Sequence, residues 1–214
     1  MPGPKTKNFP FFAGIPTLAQ MLNNMEKHRC GWCAGDPLYE KYHDEEWGVP
    51  VYDDATLFEF LVLETFQAGL SWITILRKRE NFRKALDNFD YRKIADYEED
   101  KILELLEDRG IIRNKLKIRA TVSNALAFIK VQEEFGSFSS YIWGFTDGKP
   151  IRNELSDYRH APANTPLSDK ISKDMKKRGF KFVGTTVIYA HMQATGMVND
   201  HEVHCFRYPE VQQL

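Results

Sequence analysis

Apolar residues recur along this chain at helical rather than strand spacing. From Leu57 to Gln67 they stand on almost every face (Leu57, Phe58, Phe60, Leu61, Val62, Leu63, Phe66), which predicts a helix buried at the centre, capped by Asp53 or Asp54. At 100° per residue Glu64 falls within about 20° of Leu57, flanked by Phe60 and Leu61. Its carboxylate is therefore expected to face protein, not water. A second helix is predicted over Asp100 to Asp108 with Ile102, Leu105 and Leu106 inward. Another follows Gly110-Ile111-Ile112, with Ile118, Val122, Ala125 and Ile129 as its apolar stripe. Ser168 is expected to open a basic helix that stops at Gly179, and Thr185 or Thr186 one that stops at Gly196, each with glycine just past its end. Strand signals are weak: Phe180 to Val183 alternates, but the segment is short and isolated. The pattern predicts an all-α fold.

A length of 214 residues is one domain's worth, with room for a sizeable core. The formal net charge of −1 removes any global sign of a nucleic-acid binder, so a cationic surface would have to be local. Three cysteines in no disulfide pattern suit a reducing compartment, and no apolar run approaches the roughly 20 residues of a membrane helix, so the expectation is a cytoplasmic protein. Residues 1–27, rich early in Pro, Gly and Lys and with a possible helix from Thr17 to Lys27, read as an extension outside the fold, with Met25 a possible start. Residues 28–214 then form the domain.

The candidate chemistry begins with cysteine and histidine. Cys30 and His43 stand near the front of the domain, His201 and Cys205 at its back. The i, i+4 spacing of the rear pair would place both on one helical face. Two thiolates and two imidazoles make the closed tetrahedral set that Zn²⁺ favours in structural sites. Cys33 and His204 are competing ligands on spacing alone, and Cys30-x-x-Cys33 is also the spacing of a redox dithiol, though without a surrounding βαβ pattern. Buried, unligated cysteines are the plainer alternative.

Two helices joined by Arg109-Gly110-Ile111-Ile112-Arg113-Asn114 form a short hairpin in which Gly110 allows close backbone approach and the next helix's first N–H groups can meet a phosphate. Arg113, Lys115, Lys117 and Arg119 surround it. Further basic clusters stand at Arg77, Lys78, Arg79, Arg83 and Lys84, and at Lys173, Lys176, Lys177, Arg178 and Lys181, set against an acidic run from Glu98 to Asp108. Each run alone is more often a solvated helix face. Aromatic residues gather after Cys30: Trp32, Tyr39, Tyr42 and Trp47, then Trp72. Core packing is the ordinary use of such a stripe. The alternative is a pocket whose π-faces hold a flat cation above Glu64.

Several runs together carry a resemblance. Among them are Arg29-Cys30-Gly31-Trp32, Asp36-Pro37-Leu38-Tyr39, Tyr42-His43-Asp44, Glu46-Trp47-Gly48-Val49-Pro50, Leu63-Glu64 and Gln67-Ala68-Gly69-Leu70-Ser71-Trp72-Ile73. Others are Arg79-Glu80-Asn81, Gly110-Ile111-Ile112-Arg113, the stretch from Lys176 to Thr186, and Val198-Asn199-Asp200-His201. In these the chain, from residue 29 to about 208, resembles the bacterial type I 3-methyladenine DNA glycosylases. The resemblance implies a helical fold of the helix–hairpin–helix glycosylase superfamily, with the hairpin lobe over about 53–150 and a second lobe from 28–52 plus 151–214 stapled by zinc. It implies Cys30, His43, His201 and Cys205 as ligands of one structural Zn²⁺, leaving Cys33 and His204 outside. It also implies Trp32, Tyr39, Tyr42, Trp47, Glu64 and Trp72 as the base pocket, Gly69 and Leu70 as the wedge into DNA, and Gly110 and Arg113 at the backbone. Glu64 is the candidate catalytic residue. The Asp that most hairpin relatives place downstream is absent from Ile129 to Glu134, as in the type I family, and no motif places a Schiff-base lysine. The expected activity is release of free 3-methyladenine from alkylated double-stranded DNA, by a monomer and without strand cleavage. Other classes consistent with the residues are a zinc-stapled damage-binding module that cleaves nothing, and a zinc hydrolase with an open coordination position.

Overall fold

The computed structural model describes residues 27–214, so the possible helix from Thr17 and the Met25 start lie outside the described residues. The architecture is helical. Helix α1 (Pro37–Glu45) starts on a proline whose missing N–H costs nothing there, and the Asp36 side chain accepts from the Leu38 and Tyr39 N–H groups. Asp53 caps α2 (Asp54–Gln67), three residues earlier than the apolar run alone suggested. Residues Leu57, Phe58 and Phe60 to Phe66 of α2 are all buried, as expected of a helix apolar on every side. Helix α3 (Trp72–Ala85) returns against it, followed by α4 (Tyr91–Ala95), α5 (Glu99–Glu107), α6 (Lys115–Phe135) and α7 (Phe138–Trp143). An irregular stretch leads to α8 (Pro166–Lys177), α9 (Thr185–Ala194) and α10 (Arg207–Val211). Phe128 joins α6 to α7 by stacking on Phe138 at 4.2 Å, and to α2 by an edge contact with Phe58 at 5.1 Å.

One weak signal fails and two expectations are corrected. The 180–183 segment is not a strand: Phe180 and Val183 are buried while Lys181 and Phe182 point out, and Phe182 has φ +56°. The buried Asn124 holds this bend, accepting from Lys181 N–H at 2.7 Å and donating to its carbonyl at 3.1 Å. Strand structure instead occurs as β1 (Ile151–Arg152) paired in parallel with β2 (Val198–Asn199), Ile151 opposite Val198. The buried face of α6 is wider than the predicted stripe. It includes Thr121, Asn124, Phe128 and Val131 besides Ile118 and Ala125, while Val122 and Ile129 are half-buried at its border. Finally, α8 opens one turn before Ser168. Thr165 is the cap, and Ser168 returns the favour by accepting from Thr165 N–H, a reciprocal capping box.

Gly196 closes the far end of α9 against the N-terminal part of the domain. Its φ is +69°, and a Cβ built there would lie 2.4 Å from the backbone of Val49 and Pro50. Both the left-handed backbone and the contact forbid a side chain, and backbone on the other side cannot yield cheaply. Gly196→Ala is expected to cost about 3 kcal/mol or more in denaturant unfolding. A cost below about 1 kcal/mol would mean the two segments part freely.

Candidate active site

Glu64 is 4 % exposed, and its Oε2 has no hydrogen-bond partner. No lysine or arginine among the described residues pairs with it, and burial alone pushes its carboxyl up to about 8. Trp72 begins α3 beside it, and its indole Nε1 is likewise buried without an acceptor. An unsatisfied buried polar atom costs about 1–3 kcal/mol. Two at one spot mark a place built for something else to satisfy them.

That place is a cavity of about 210 Å³. Trp32 enters it from the short turn Gly31–Cys33, Tyr39 and Tyr42 from successive turns of α1, Trp47 from the loop beyond, and Trp72 from α3. Trp32 packs edge-on against Tyr39 (4.7 Å) and Trp47 (4.9 Å), and Tyr42 tilts against Trp72 (5.5 Å). All six residues singled out in the sequence as base-binding thus line one cavity. Burial pushes the Tyr39 hydroxyl up to about 12 and the Tyr42 hydroxyl well above its usual value, so both remain donors. The remaining wall was missed. Gln67, Gln193 and Asp200 line it too, as does Tyr158, whose N–H donates to Glu202 Oε1 at 2.9 Å. Asp200 and Gln67 stood within the quoted runs. Tyr158 lies in irregular chain, where no periodicity points inward.

The four metal candidates also converge, all buried, with their ligand atoms within 4.8 Å of one another. His201 and Cys205 do so from a loop between β2 and α10, not from a helix face as the spacing suggested. Cys205 Sγ stands 3.4 Å from His43 Nε2 and 3.6 Å from His201 Nδ1, and Cys30 Sγ is 3.6 Å from His201 Nδ1. Zn–S bonds of about 2.3 Å and Zn–N bonds of about 2.0–2.1 Å set sulfur and nitrogen about 3.5 Å apart along a tetrahedral edge. The outer contacts agree. His43 Nδ1 faces Asp44 Oδ1 (2.9 Å) and His201 Nε2 faces the Trp47 carbonyl (3.0 Å), which turns the other ring nitrogen of each towards the centre. Glu202 N–H donates to the Cys30 sulfur and Arg207 N–H to the Cys205 sulfur. Hydrogen bonds from Cys30, His201 and His43 hold the Cys205 thiol far below its usual range, towards thiolate. This group can hold a metal ion. Cys33 and His204 are outside it: the Cys33 thiol donates to the Cys30 carbonyl while the Cys30 sulfur turns to the His201 ring, and the His204 side chain is exposed.

At the rim, Gly69 (φ +86°) turns the chain so that Leu70 stands out from the end of α2, 41 % exposed. Lys117 supports this loop from below. It is buried, and its Nζ donates to the Phe66 and Ala68 carbonyls, so it is not one of the free cations around the hairpin. Arg119 pairs with Glu99, which leaves Arg113 and Lys115 exposed at that end. Asn114 caps α6 by accepting from Leu116 and Lys117 N–H, so those two donors are taken as well. The N–H groups of Ile111, Ile112 and Arg113 have no acceptor among the described residues. Lys78 and Asn81 donate to the Gly110 carbonyl, and a Cβ at Gly110 would press within 3.3 Å of Asn81. The first basic cluster is mostly structural. Arg79 is buried against Glu46 and Glu59, and Arg83 reaches Glu59 and Glu80.

The methyladenine glycosylase family matches residues 32–208. DNA-3-methyladenine glycosylase 1 of Escherichia coli (strain K12) is 48 % identical over 181 residues, 85 % of this chain and 97 % of that protein. A crystal structure of 3-methyladenine DNA glycosylase I superposes with TM-score 0.82 at 49 % identity, covering 85 % of this chain and all of that one. The enzyme from Staphylococcus aureus, solved for the structural basis of 3-methyladenine recognition, matches with TM-score 0.82 at 34 % identity, over 85 % and 96 % of the two chains. With its aromatic cavity closed over one buried acid and nearly its whole described length matched, the chain belongs to the methyladenine glycosylase family.

Proposed function

We propose that this protein is a DNA-3-methyladenine glycosylase, which hydrolyses the N-glycosidic bond of the alkylated base in duplex DNA and leaves an abasic site. The observation that carries the reading is the unpaired Glu64 beneath aromatic faces, in a cavity of the scale of one flat base. The relatives' names and the structure solved for 3-methyladenine recognition support it.

Methylation at N3 gives adenine a formal positive charge, so the glycosidic bond is already weak. The protein has to extrude the nucleotide, at a few kcal/mol of lost stacking, and hold the cationic base while the glycosidic bond breaks. The base takes the bonding electrons and leaves neutral, and the charge passes to the sugar, where water adds. Trp32, Tyr42 and Trp72 supply π-faces for a flat cation. Glu64 is largely neutral in the empty cavity at pH 7, because its carboxyl is pushed up to about 8. A cationic base favours the ionised form and drives its proton to solvent, whereas an uncharged purine meets a neutral acid. The contrast between damaged and normal base is thereby read as charge in a low-dielectric site. No lysine lines the cavity among the described residues, which supports hydrolysis without a Schiff base and hence without strand cleavage.

We assign the metal as a structural Zn²⁺ held by Cys30, His43, His201 and Cys205. Four protein ligands complete its coordination, and it supplies attachment between chain segments rather than a reactive water. The hairpin lobe of 53–150 carries the DNA contacts: free N–H groups at Ile111 to Arg113 and the Arg113 charge suit a backbone phosphate, with Gly110 allowing approach. The protein is read as a cytoplasmic monomer; no helix among the described residues is long and apolar enough to cross a membrane.

Incubation with methylated duplex DNA, followed by chromatography, is expected to show free 3-methyladenine while the strands stay whole until heated in alkali. No free base, or immediate nicking, would refute the proposal. Leu70 is assigned the space left by the extruded base. Leu70→Ala is expected to slow release from duplex about tenfold or more while free-base affinity stays unchanged. Equal loss on single-stranded DNA would remove the wedge role.

A further inference from the structure

Asp200 lines the same cavity as Glu64 in the opposite circumstance. Its two oxygens accept from Asn153 Nδ2 (2.6 Å), the Tyr189 hydroxyl (2.7 Å) and Gln193 Nε2 (2.8 Å). Burial and the Asp200 charge push the Tyr189 hydroxyl far up, so it stays protonated and donates. A carboxylate surrounded by donors decides which end of an amide may face it. Gln193 must therefore turn its NH₂ to Asp200. Its Oε1 accepts from no described residue, and Gln193 is a half-buried lining residue of the cavity. The backbone beneath is anchored independently, since the Gln193 carbonyl accepts from Gly48 N–H at 3.1 Å.

The geometry points to Gln193 as a specificity-determining residue: Asp200 pins its amide so that a carbonyl oxygen, not an N–H, is offered to the flipped base. The inference rests on the cavity being the base pocket. Adenine carries an exocyclic amine with two hydrogens, one of which Oε1 can accept. Guanine carries a carbonyl oxygen on the corresponding ring carbon, and two acceptors would then oppose each other. A pocket whose hydrogen-bonding group is left unpaired by the wrong ligand rejects it more strongly than one that differs only in shape. Asp200 acts through Gln193 and is a positioning residue. The aromatic walls cannot make this distinction, because both purines present π-faces.

The test titrates free 3-methyladenine and free 3-methylguanine into the parent protein, Gln193→Met and Asp200→Asn, following tryptophan fluorescence. Release of both bases from methylated duplex DNA is measured in parallel. Gln193→Met keeps the side chain's length and removes the acceptor. It is expected to weaken 3-methyladenine binding about tenfold while 3-methylguanine binds as well or better, so that the preference collapses. Asp200→Asn lets the Gln193 amide turn over and is expected to lower the same ratio in the same direction. It decides the matter alone should Gln193→Met fail to fold. Equal weakening for both bases would show a packing role only, and an unchanged ratio would show no role; either overturns the assignment. Failure of the parent protein to bind 3-methyladenine would instead refute the pocket itself, whatever Gln193 does.

Discussion

Glu64→Ala is expected to lower kcat/KM for 3-methyladenine release by about two to three orders of magnitude, the loss that follows removal of one charge-stabilising group from a dry site. The pH profile separates this from mere damage. kcat/KM reports the free enzyme, in which the carboxyl is pushed up to about 8 by burial. The parent protein should therefore gain kcat/KM as pH rises towards about 8 and level off above it, while kcat, measured with the cation already in place, changes little. Glu64→Gln should be low and flat. Stability moves the other way. A carboxyl whose folded pKa exceeds its unfolded value binds more protons folded than unfolded between about 4.5 and about 8, so stability falls as pH rises through that window. The fall approaches about 5 kcal/mol at full ionisation, taken as an upper bound. Glu64→Gln escapes it. Its thermal midpoint should match the parent's near pH 4 and exceed it increasingly towards pH 8. A flat kcat/KM profile in the parent, or a variant whose stability margin over the parent is no larger at pH 8 than at pH 4, would remove the buried acid from the account.

Much of this site was legible because its parts sit on one regular element or one short segment. The projection that put Glu64 beside Leu57 needed only the helical repeat, and α2 is buried on the side it predicted. Trp32, Tyr39, Tyr42 and Trp47 lie within sixteen residues of chain, so one helix and its flanking turns fix them together. What failed to show was mostly set by chain returning from afar. Gln193 and Asp200 reach the cavity only because α9 and β2 pack behind it, and a spacing rule within one segment cannot see that. His201 and Cys205 meet through a loop, because a tight loop can return the chain to the same side after four residues just as a helix turn does. Charge runs misled for a related reason. Arg79 and Lys117 look like solvated cations in sequence, yet one is buried between two carboxylates and the other on the open carbonyls ending α2. Long aliphatic stems let such residues cross an apolar layer while the head finds its partner.

Removing the Zn²⁺ proposed for Cys30, His43, His201 and Cys205 is the second experiment with a large expected effect, and it couples the two halves of the site. Cys30 stands two residues before Trp32, His43 follows Tyr42 on α1, Trp47 offers its carbonyl to His201, and Asp200 immediately precedes His201. Trp32, Tyr42, Trp47 and Asp200 of the cavity lining are thus within two residues of one of the four candidate ligands or bonded to one. Cys205→Ser, or chelation of the parent protein, is expected to release one equivalent of zinc and lower the thermal midpoint by about 10 °C or more. At 2–4 °C per kcal/mol for a domain of this size, that is a loss of several kcal/mol, well within what a closed four-ligand site contributes. Affinity for free 3-methyladenine should fall with it, since α1 and the 201–205 loop would no longer hold their faces towards Glu64. The α2–α6 core, including the Phe58–Phe128–Phe138 packing, has no ligand in it and should keep its helical signal. Exchange of zinc for cobalt or cadmium is the control for mechanism. Either ion should restore both the midpoint and base release, because a tether requires coordination but no particular Lewis acidity. Release that tracked the identity of the ion would place the metal in the reaction, and the cavity would then have to be rebuilt around it rather than around the acid in α2.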